Sequence, residues 1–360
     1  MTAKSTAGRY FEDFRVGETI VHPTPRTLTA GDTAVYVALT GDRAPLHCDA
    51  EFARALGYRR ETIHDLLVFH VVFGKSVPDV SLNAIANLGY ADLRFLRPVY
   101  PGDTLRAQSE VIGLRPASAG DAGVVWVRTR GLNQRGEAVL EFVRWVLVNK
   151  RDRSTAASEL RVPELPERVS PERLAVPLGL RARPFPSDRT GGTAYWEDYE
   201  PGERIDHLDG MTLEETEHAL ATRLYQNTAR VHFNAQQARA SRFGRRLVYG
   251  GHVISLAFAL ARNGFANAIA ILAFNAGTHA NPTFAGDTLY AWSEVLERLP
   301  LPGREDAGAL RCRLVAVKDP DGPAGDVPLR VRDERDGRER YHPSVVLDLD
   351  YTLLLPRRGG

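Results

Sequence analysis

The 360-residue sequence has only two cysteines, no long apolar run and no excess of charge of one sign. Cys48 and Cys312 lie in opposite halves, which argues against a disulfide framework or thiolate zinc site and fits a reducing compartment. The most apolar stretch, residues 253–261, falls far short of the roughly 20 residues that a membrane helix needs. Lys and Arg number 46 against 45 Asp and Glu. We expect a cytoplasmic protein without a membrane or nucleic-acid partner.

Several common catalytic signatures are also missing from the sequence. No G-x-G-x-x-G follows a predicted strand, and neither a P-loop nor a G-x-S-x-G elbow occurs. None of the ten histidines forms an H-E-x-x-H pair or a comparable metal-binding pattern. These absences favour an acid–base reaction that uses no metal, no nucleotide and no other cofactor.

The most informative feature that is present is an internal repeat. The letters YFEDF at residues 10–14 return as YWEDY at residues 195–199, and GDTL at residues 102–105 returns at residues 286–289. The matches keep their order and nearly constant spacing, which argues against chance. The period is far longer than the roughly 20–50 residues of solenoid repeats, so it indicates a duplicated domain.

The duplication predicts two domains, residues 1–150 and 193–360, joined by a Pro-rich extended linker over residues 151–192. In each copy an apolar helix, at residues 66–75 and 251–262, precedes a series of strands. The predicted strands cover residues 105–113, 124–131, 138–150, 289–296, 309–317 and 345–355. A helix that is apolar nearly all round is buried, so we predict an α+β fold in which an antiparallel sheet wraps each helix. Pairing the two sheets edge to edge would remove one exposed edge from each.

The strongest local motif combines Asp42 and His47 on a loop that Gly41 and Pro45 turn. A carboxylate and an imidazole at this spacing can converge on one water, so that one takes its proton and the other orients it. Histidine suits this task because its ordinary pKa lies near neutrality. The alternative is structural, with Asp42 as a turn residue and His47 as a hydrogen-bonded loop histidine.

The second copy carries Asn227 and His232 at the matching positions. Asn cannot act as a base, but its amide can orient a water or a carbonyl. Gly250 and Gly251 open the second apolar helix, where exposed N–H groups can stabilise an oxygen that gains negative charge. The alternative interpretation of these glycines is close helix packing. The first copy thus holds the complete acid–base pair, and the second holds the better oxyanion site.

Residues 36–53 resemble the signature of MaoC-like (R)-specific enoyl-CoA hydratases, with Ala44 where that pattern usually has Asn. The duplicated layout resembles the double-hotdog members of this family. The resemblance implies two tandem hotdog modules and a lyase that adds water reversibly to an enoyl-CoA thioester. The Asp/His pair would activate water and supply the α-proton, and backbone N–H groups would polarise the thioester carbonyl. We nominate Asp42 and His47 on their intrinsic chemistry.

The family pattern favours the second-copy pair, Asn227 and His232, which we nominate as well. The resemblance also implies an acyl-CoA partner of the short, branched or dicarboxylic type. A free substrate carboxylate calls for a cation, and Arg43 and Arg230 lie inside the two motif loops. Solvation or contact with a CoA phosphate is the alternative for each arginine. A hotdog thioesterase and a non-catalytic acyl-CoA-binding protein stay open as functions, as do a monomer and a homo-oligomer.

Overall fold

A computed structural model describes residues 4–154 and 159–359 of the chain. The long strands of the first copy are β1 (Thr19–Thr27), β2 (Ala84–Phe95), β3 (Thr104–Pro116), β4 (Ala122–Leu132) and β5 (Ala138–Asn149). Those of the second copy are β6 (Arg204–Thr212), β7 (Ala270–His279), β8 (Thr288–Pro300), β9 (Ala307–Lys318) and β12 (Val345–Pro356). The short strands β10 (Arg330–Arg332) and β11 (Glu339–Tyr341) form a separate hairpin.

The helices follow the same order in both copies. The first copy contains α1 (Ala30–Thr40), α2 (Pro45–Cys48), α3 (Ala50–Ala55) and α4 (Asp65–Ser76). The second copy contains α5 (Glu215–Leu224), α6 (Arg230–Phe233), α7 (Ala235–Arg239) and α8 (Gly250–Ala261). In the described part of the chain, no helix combines the length and the apolar character that crossing a membrane requires.

The ten long strands form one antiparallel sheet in the order β1-β3-β4-β5-β2-β7-β12-β9-β8-β6. Strands β2 and β7 join the two halves, and their register pairs Tyr90 with Gly277 and Leu93 with Phe274. The predicted double hotdog and the predicted edge-to-edge pairing of the two sheets are therefore confirmed. Among the described strands each half keeps one free edge, at β1 and β6, which limits unwanted pairing with other chains.

The central helices α4 and α8 supply much of the largest apolar core. Every residue of α4 after Asp65 is buried, as the uninterrupted apolar sequence predicts. Helix α8 is buried over most of its length, and Phe258 contacts Phe274 of the joining strand with 5.9 Å between ring centroids. Burial of apolar surface of this kind is the main favourable contribution to folding. It also fixes the two helix starts, which lie beside the candidate sites.

Within the segment between the copies, residues 159–192, a few apolar side chains pack against both copies, while much of the remainder is exposed. The segment contains two short 3-10 helices, Pro171–Arg173 and Ser187–Arg189. Its Val169, Leu174 and Leu180 belong to a buried cluster that also includes Phe52 of the first copy and Leu354 of the second. The segment therefore adds apolar contacts that hold the two halves in one orientation.

Candidate active site

Two related sites lie between the copies, because the histidine loop of each copy faces the central helix of the other. In the first, Asp42 and His47 border a cavity of about 40 Å³ whose opposite wall includes Phe258 and Arg262. This volume accommodates a few water molecules. Helix α1 ends at Gly41, whose φ of 67° is the left-handed conformation that glycine adopts without steric cost. The chain then turns so that the Asp42 side chain reaches the cavity.

Asp42 is 3% exposed, and both of its carboxylate oxygens accept hydrogen bonds. Oδ1 accepts from the Ala44 amide at 2.8 Å, and Oδ2 accepts from His64 Nε2 at 2.9 Å. Burial opposes ionisation, but the His64 imidazole and these bonds outweigh it and hold the pKa of Asp42 well below its usual range. His64 Nδ1 in turn accepts from the Leu66 amide at 3.1 Å and caps α4. Asp42 is thus a fully bonded carboxylate.

His47 lies against His64 with 4.2 Å between ring centroids. Its Nδ1 is 2.9 Å from the Thr62 hydroxyl, and its Nε2 is 4.0 Å from Oδ2 of Asp65. Burial and the neighbouring His64 hold the pKa of His47 well below its ordinary value. Burial also raises the pKa of Asp65 to about 6, and its Oδ2 accepts from the Ile271 amide at 3.2 Å. The structure therefore brings Asp42 and His47 together, with a second carboxylate beside them.

The second copy repeats the loop with different chemistry. The Asn227 Oδ1 accepts from the Ala229 amide at 2.9 Å, as Asp42 does from Ala44. His232 donates from Nδ1 to the Leu247 carbonyl at 2.9 Å, which leaves Nε2 as the unprotonated nitrogen. Burial lowers the pKa of His232 to about 4, so the ring is neutral at physiological pH. This tautomer and charge state suit a general base.

The start of α8 completes the second site. Neither Gly250 nor Gly251 donates its amide N–H to any described residue, and Tyr249 provides no side-chain cap. The Tyr249 ring lies 5.5 Å from that of His232, centroid to centroid. A Cβ added to Gly250 would stand 2.5 Å from Cε1 of His279, so only glycine fits here without displacement of that imidazole. Two free helix-terminal amides therefore lie close to a neutral histidine.

A third polar arrangement, in the sheet, has a structural role. His22 bridges Asp79 at 2.8 Å and Ser109 at 2.7 Å, in the order of a hydrolytic triad. Both Ser109 and its repeat counterpart Ser293, which bonds His207 at 2.8 Å, have 0% exposure. Because no substrate can reach these hydroxyls, we interpret the arrangement as packing that both copies retain.

Comparison with known proteins decides the family. The MaoC like domain family matches residues 13–129. The whole chain is 56% identical to β-methylmalyl-CoA dehydratase of Chloroflexus aurantiacus, with 100% of both chains covered. It is also 56% identical to mesaconyl-CoA hydratase of Cereibacter sphaeroides, over 98% of this chain and 100% of the other. The chain belongs to the MaoC-like dehydratase family. It is accordingly an enzyme, a hydratase or dehydratase of the carbon–oxygen lyase class.

Solved structures of MaoC-like proteins agree with this fold. A MaoC domain protein dehydratase from Chloroflexus aurantiacus superposes with a TM-score of 0.94 at 57% identity, covering 99% of this chain and 100% of the other. A Mycobacterium tuberculosis protein with a double hotdog fold gives 0.73 at 24% identity, covering 97% and 98%. The latter supports the fold alone. Over residues 4–154 and 159–359, no group of three His, Cys, Asp or Glu side chains has the arrangement of a metal site.

The structure also places the two arginines nominated from the MaoC-like motif loops. Arg43 is exposed, and Arg230 is half-buried at the start of α6. His64, Asp65 and Tyr249 were not among the residues that the sequence motifs predicted for the site. The repeat itself held the signal, because the spacing that relates His47 to His232 also relates His64 to Tyr249 and Asp65 to Gly250.

Proposed function

We propose that this enzyme reversibly hydrates mesaconyl-CoA to β-methylmalyl-CoA, or acts on a closely related short branched enoyl-CoA, and that the second-copy site carries the reaction. The names of the two full-length relatives support the substrate. The observation that carries the choice of site is the pair of unpartnered amides at Gly250 and Gly251 beside a neutral His232. The start of α4 lacks such a pair, because the Leu66 amide donates to His64 Nδ1 at 3.1 Å.

The proposed mechanism needs only groups of the chain. The thioester oxygen accepts from the Gly250 and Gly251 amides, which stabilise the negative charge that develops there. His232 Nε2 takes a proton from a water that the Asn227 side-chain amide orients, and the hydroxide adds to the β-carbon. The resulting enolate then takes the proton from Nε2 at its α-carbon. The His232 ring returns to its neutral form, so the proton balance closes within one turnover.

The first-copy site is electrostatically unsuited to the same step. Asp65 stands at the position that Gly250 holds in the second copy, and the Asp42 carboxylate lies on the other side of His64. An oxyanion forming there would meet two carboxylates instead of free N–H groups, and like charges in a buried site repel strongly. Asp42 and His47 are therefore proposed as a retained pair that does not carry the main reaction.

The segment that contains and follows His232 offers a surface for the CoA phosphates. Residues 230–248 contain no Asp or Glu, and their arginines are Arg230, Arg239, Arg242, Arg245 and Arg246. Arg246 pairs with Glu215, whereas no described carboxylate pairs with Arg239, Arg242 or Arg245, all of which are exposed. Guanidinium groups bind phosphate oxygens through paired hydrogen bonds. We assign this arginine segment, residues 230–248, to the nucleotide part of CoA.

The direct test follows the enoyl-thioester absorbance of mesaconyl-CoA and of crotonyl-CoA with purified enzyme. We expect turnover of mesaconyl-CoA, with crotonyl-CoA slower. A parallel thiol-release assay separates this activity from a thioesterase, for which free CoA would appear. If the enoyl-thioester absorbance decreases with neither substrate, the proposed function is rejected. Stoichiometric release of free thiol would instead identify the reaction as thioester hydrolysis.

A further inference from the structure

Arg144 on β5 is a buried cation without an anionic partner. Its side chain has 0% exposure, and its guanidinium bonds only two hydroxyls, Ser76 at 2.8 Å and Ser81 at 3.3 Å. The Nε atom is buried and has no hydrogen-bond partner in the described chain. The group stacks on Phe73 of α4 at 4.2 Å from the ring centroid. No described Asp or Glu forms an ion pair with it, which is a costly arrangement for an apoprotein.

Strand register shows that Arg144 belongs to the second-copy site. Ser109 pairs with Thr129 and Thr129 with Phe142, as Ser293 pairs with Leu314 and Leu314 with Leu349. Two residues further along the same strands, Arg144 therefore corresponds to Tyr351, and Tyr351 lines the cavity of the first-copy site.

The neighbouring strand gives the same correspondence. Arg144 pairs with Tyr90, as Tyr351 pairs with Phe274. Two residues further along β5 and β12, past a register shift in each pairing, the partner residues are Asn87 and Ile271, so these two residues correspond as well. Both independent registers thus place β5 and β2 around the second site as β12 and β7 surround the first.

Three positions of the far wall are more polar in the second site than in the first, although Arg262 also lines the first cavity. Three residues of the first cavity, Ala261, Ile271 and Tyr351, correspond to Ser76, Asn87 and Arg144 in the second. Both amide atoms of Asn87 and the hydroxyl of Tyr249 are also buried without partners among the described residues. Unsatisfied buried groups are rare in native proteins, and several of them at the positions assigned to one site indicate a missing polar ligand.

We infer that Arg144, supported by Ser76 and Ser81, binds the free carboxylate of the substrate at the acyl end and so selects dicarboxylic enoyl-CoA esters over neutral ones. The inference rests on the proposed function, because it assumes that the thioester lies on α8 and the acyl chain extends toward α4. A guanidinium and a carboxylate form two parallel charge-assisted hydrogen bonds, which also satisfy the orphaned Nε. Arg43, which is exposed, would then have no part in recognition of this carboxylate.

The test compares kcat/KM for mesaconyl-CoA and crotonyl-CoA in the wild type, Arg144→Met and Arg144→Lys. We expect the ratio of the two values to fall at least about 100-fold in Arg144→Met, since two charge-assisted bonds are lost. Arg144→Lys should recover only part of the ratio, because an ammonium lacks the planar fork. Tyr351→Phe, at the equivalent position of the first copy, is the matched control and should leave the ratio unchanged.

The outcomes separate two kinds of failure. Absence of mesaconyl-CoA turnover in the wild type would reject the proposed function itself, whereas an active wild type with an unchanged ratio in folded Arg144→Met would reject only the role of Arg144. If neither variant folds, ligand binding to the wild type still tests the role of Arg144. Methylsuccinyl-CoA, which keeps the carboxylate but cannot react, should raise the melting temperature more than 2-methylbutyryl-CoA does. Equal stabilisation by the two esters would overturn the inference.

Discussion

Asp65 and Gly250 hold the same position at the start of the two central helices, and they give these starts opposite electrostatic character. The Asp65 carboxylate accepts from the Ile271 amide at 3.2 Å and places negative charge at α4. Gly250 leaves its own amide and that of Gly251 free at α8. A helix N-terminus attracts negative charge, and here only the second copy leaves that position open for a ligand.

The first prediction concerns the two loop histidines. We expect His232→Ala to lower kcat for mesaconyl-CoA at least about 100-fold, the usual cost of a lost general base. His47→Ala, its counterpart in the first copy, should change kcat less than about threefold by the same criterion. Steady-state kinetics on folded variants provide the measurement. The reverse pattern would move the reaction to the first-copy cavity.

The second prediction concerns pH. Burial lowers the pKa of His232 to about 4, against an ordinary value of 6.5. Because the base acts in its neutral form, kcat/KM should be level between about pH 6 and 8 and fall only as pH drops toward the lowered pKa. A pH–rate profile corrected for enzyme inactivation tests this. An acidic limb centred near the ordinary histidine value would contradict the assignment of His232 as a buried base.

The third prediction concerns stability at the first-copy site. The pKa of Asp65 is raised from 3.8 to about 6, so its ionised form opposes folding, and wild-type stability decreases as pH rises through this interval. Asp65→Asn should therefore raise the free energy of unfolding by about 2–3 kcal/mol at pH 8 and have little effect near pH 4.

Asp42→Asn provides the contrast, because the pKa of Asp42 is lowered and its ionised form stabilises the fold. This substitution should destabilise the protein at pH 8, with the loss shrinking only at strongly acidic pH. Urea titrations at several pH values compare the two variants. Equal and pH-independent effects of the two substitutions would show that neither carboxylate has the environment described.

The fourth prediction concerns the arginine segment. Arg245→Ser should raise KM for the CoA ester about fivefold without changing kcat, because the segment contacts a part of the substrate remote from the reaction. Arg60 holds the matching position in the first copy and pairs with Glu61 at 2.5 Å, so Arg60→Ser is the control. The effect of Arg245→Ser should also weaken as salt is added. A similar KM change in both variants would point to a general charge effect.

The sequence predicted the duplicated fold well and the site only in part. Strands rich in β-branched residues, such as β4, were located closely, and both buried helices were found. The joining strands β2 and β7 were missed, because Asn87, Gly89 and Asp92 interrupt any alternation in β2 and its conformation depends on pairing with β5 and β7. Long-range pairing of this kind leaves no local signal.

Arg144 was missed for a related reason. A charged residue within an apolar strand ordinarily marks the solvent face, but residues 139–144 of β5, which include Glu141 and Arg144, are all buried, so alternation carries no information there. The sequence signals for Asn227, His232 and Gly250 were stronger, because the constant spacing of the repeat aligns each of them with a residue of the first copy. Comparison of the copies revealed the differences in chemistry that neither copy shows alone.

The β2–β7 junction, which makes one sheet from two modules, has an evolutionary consequence. In an assembly of identical subunits every substitution appears in each active centre at once, so the centres cannot become different from one another. Covalent fusion breaks that symmetry. The two centres of this chain can therefore differ, with an aspartate at the helix start of one and, in the other, a buried arginine that we propose as the partner of a substrate carboxylate.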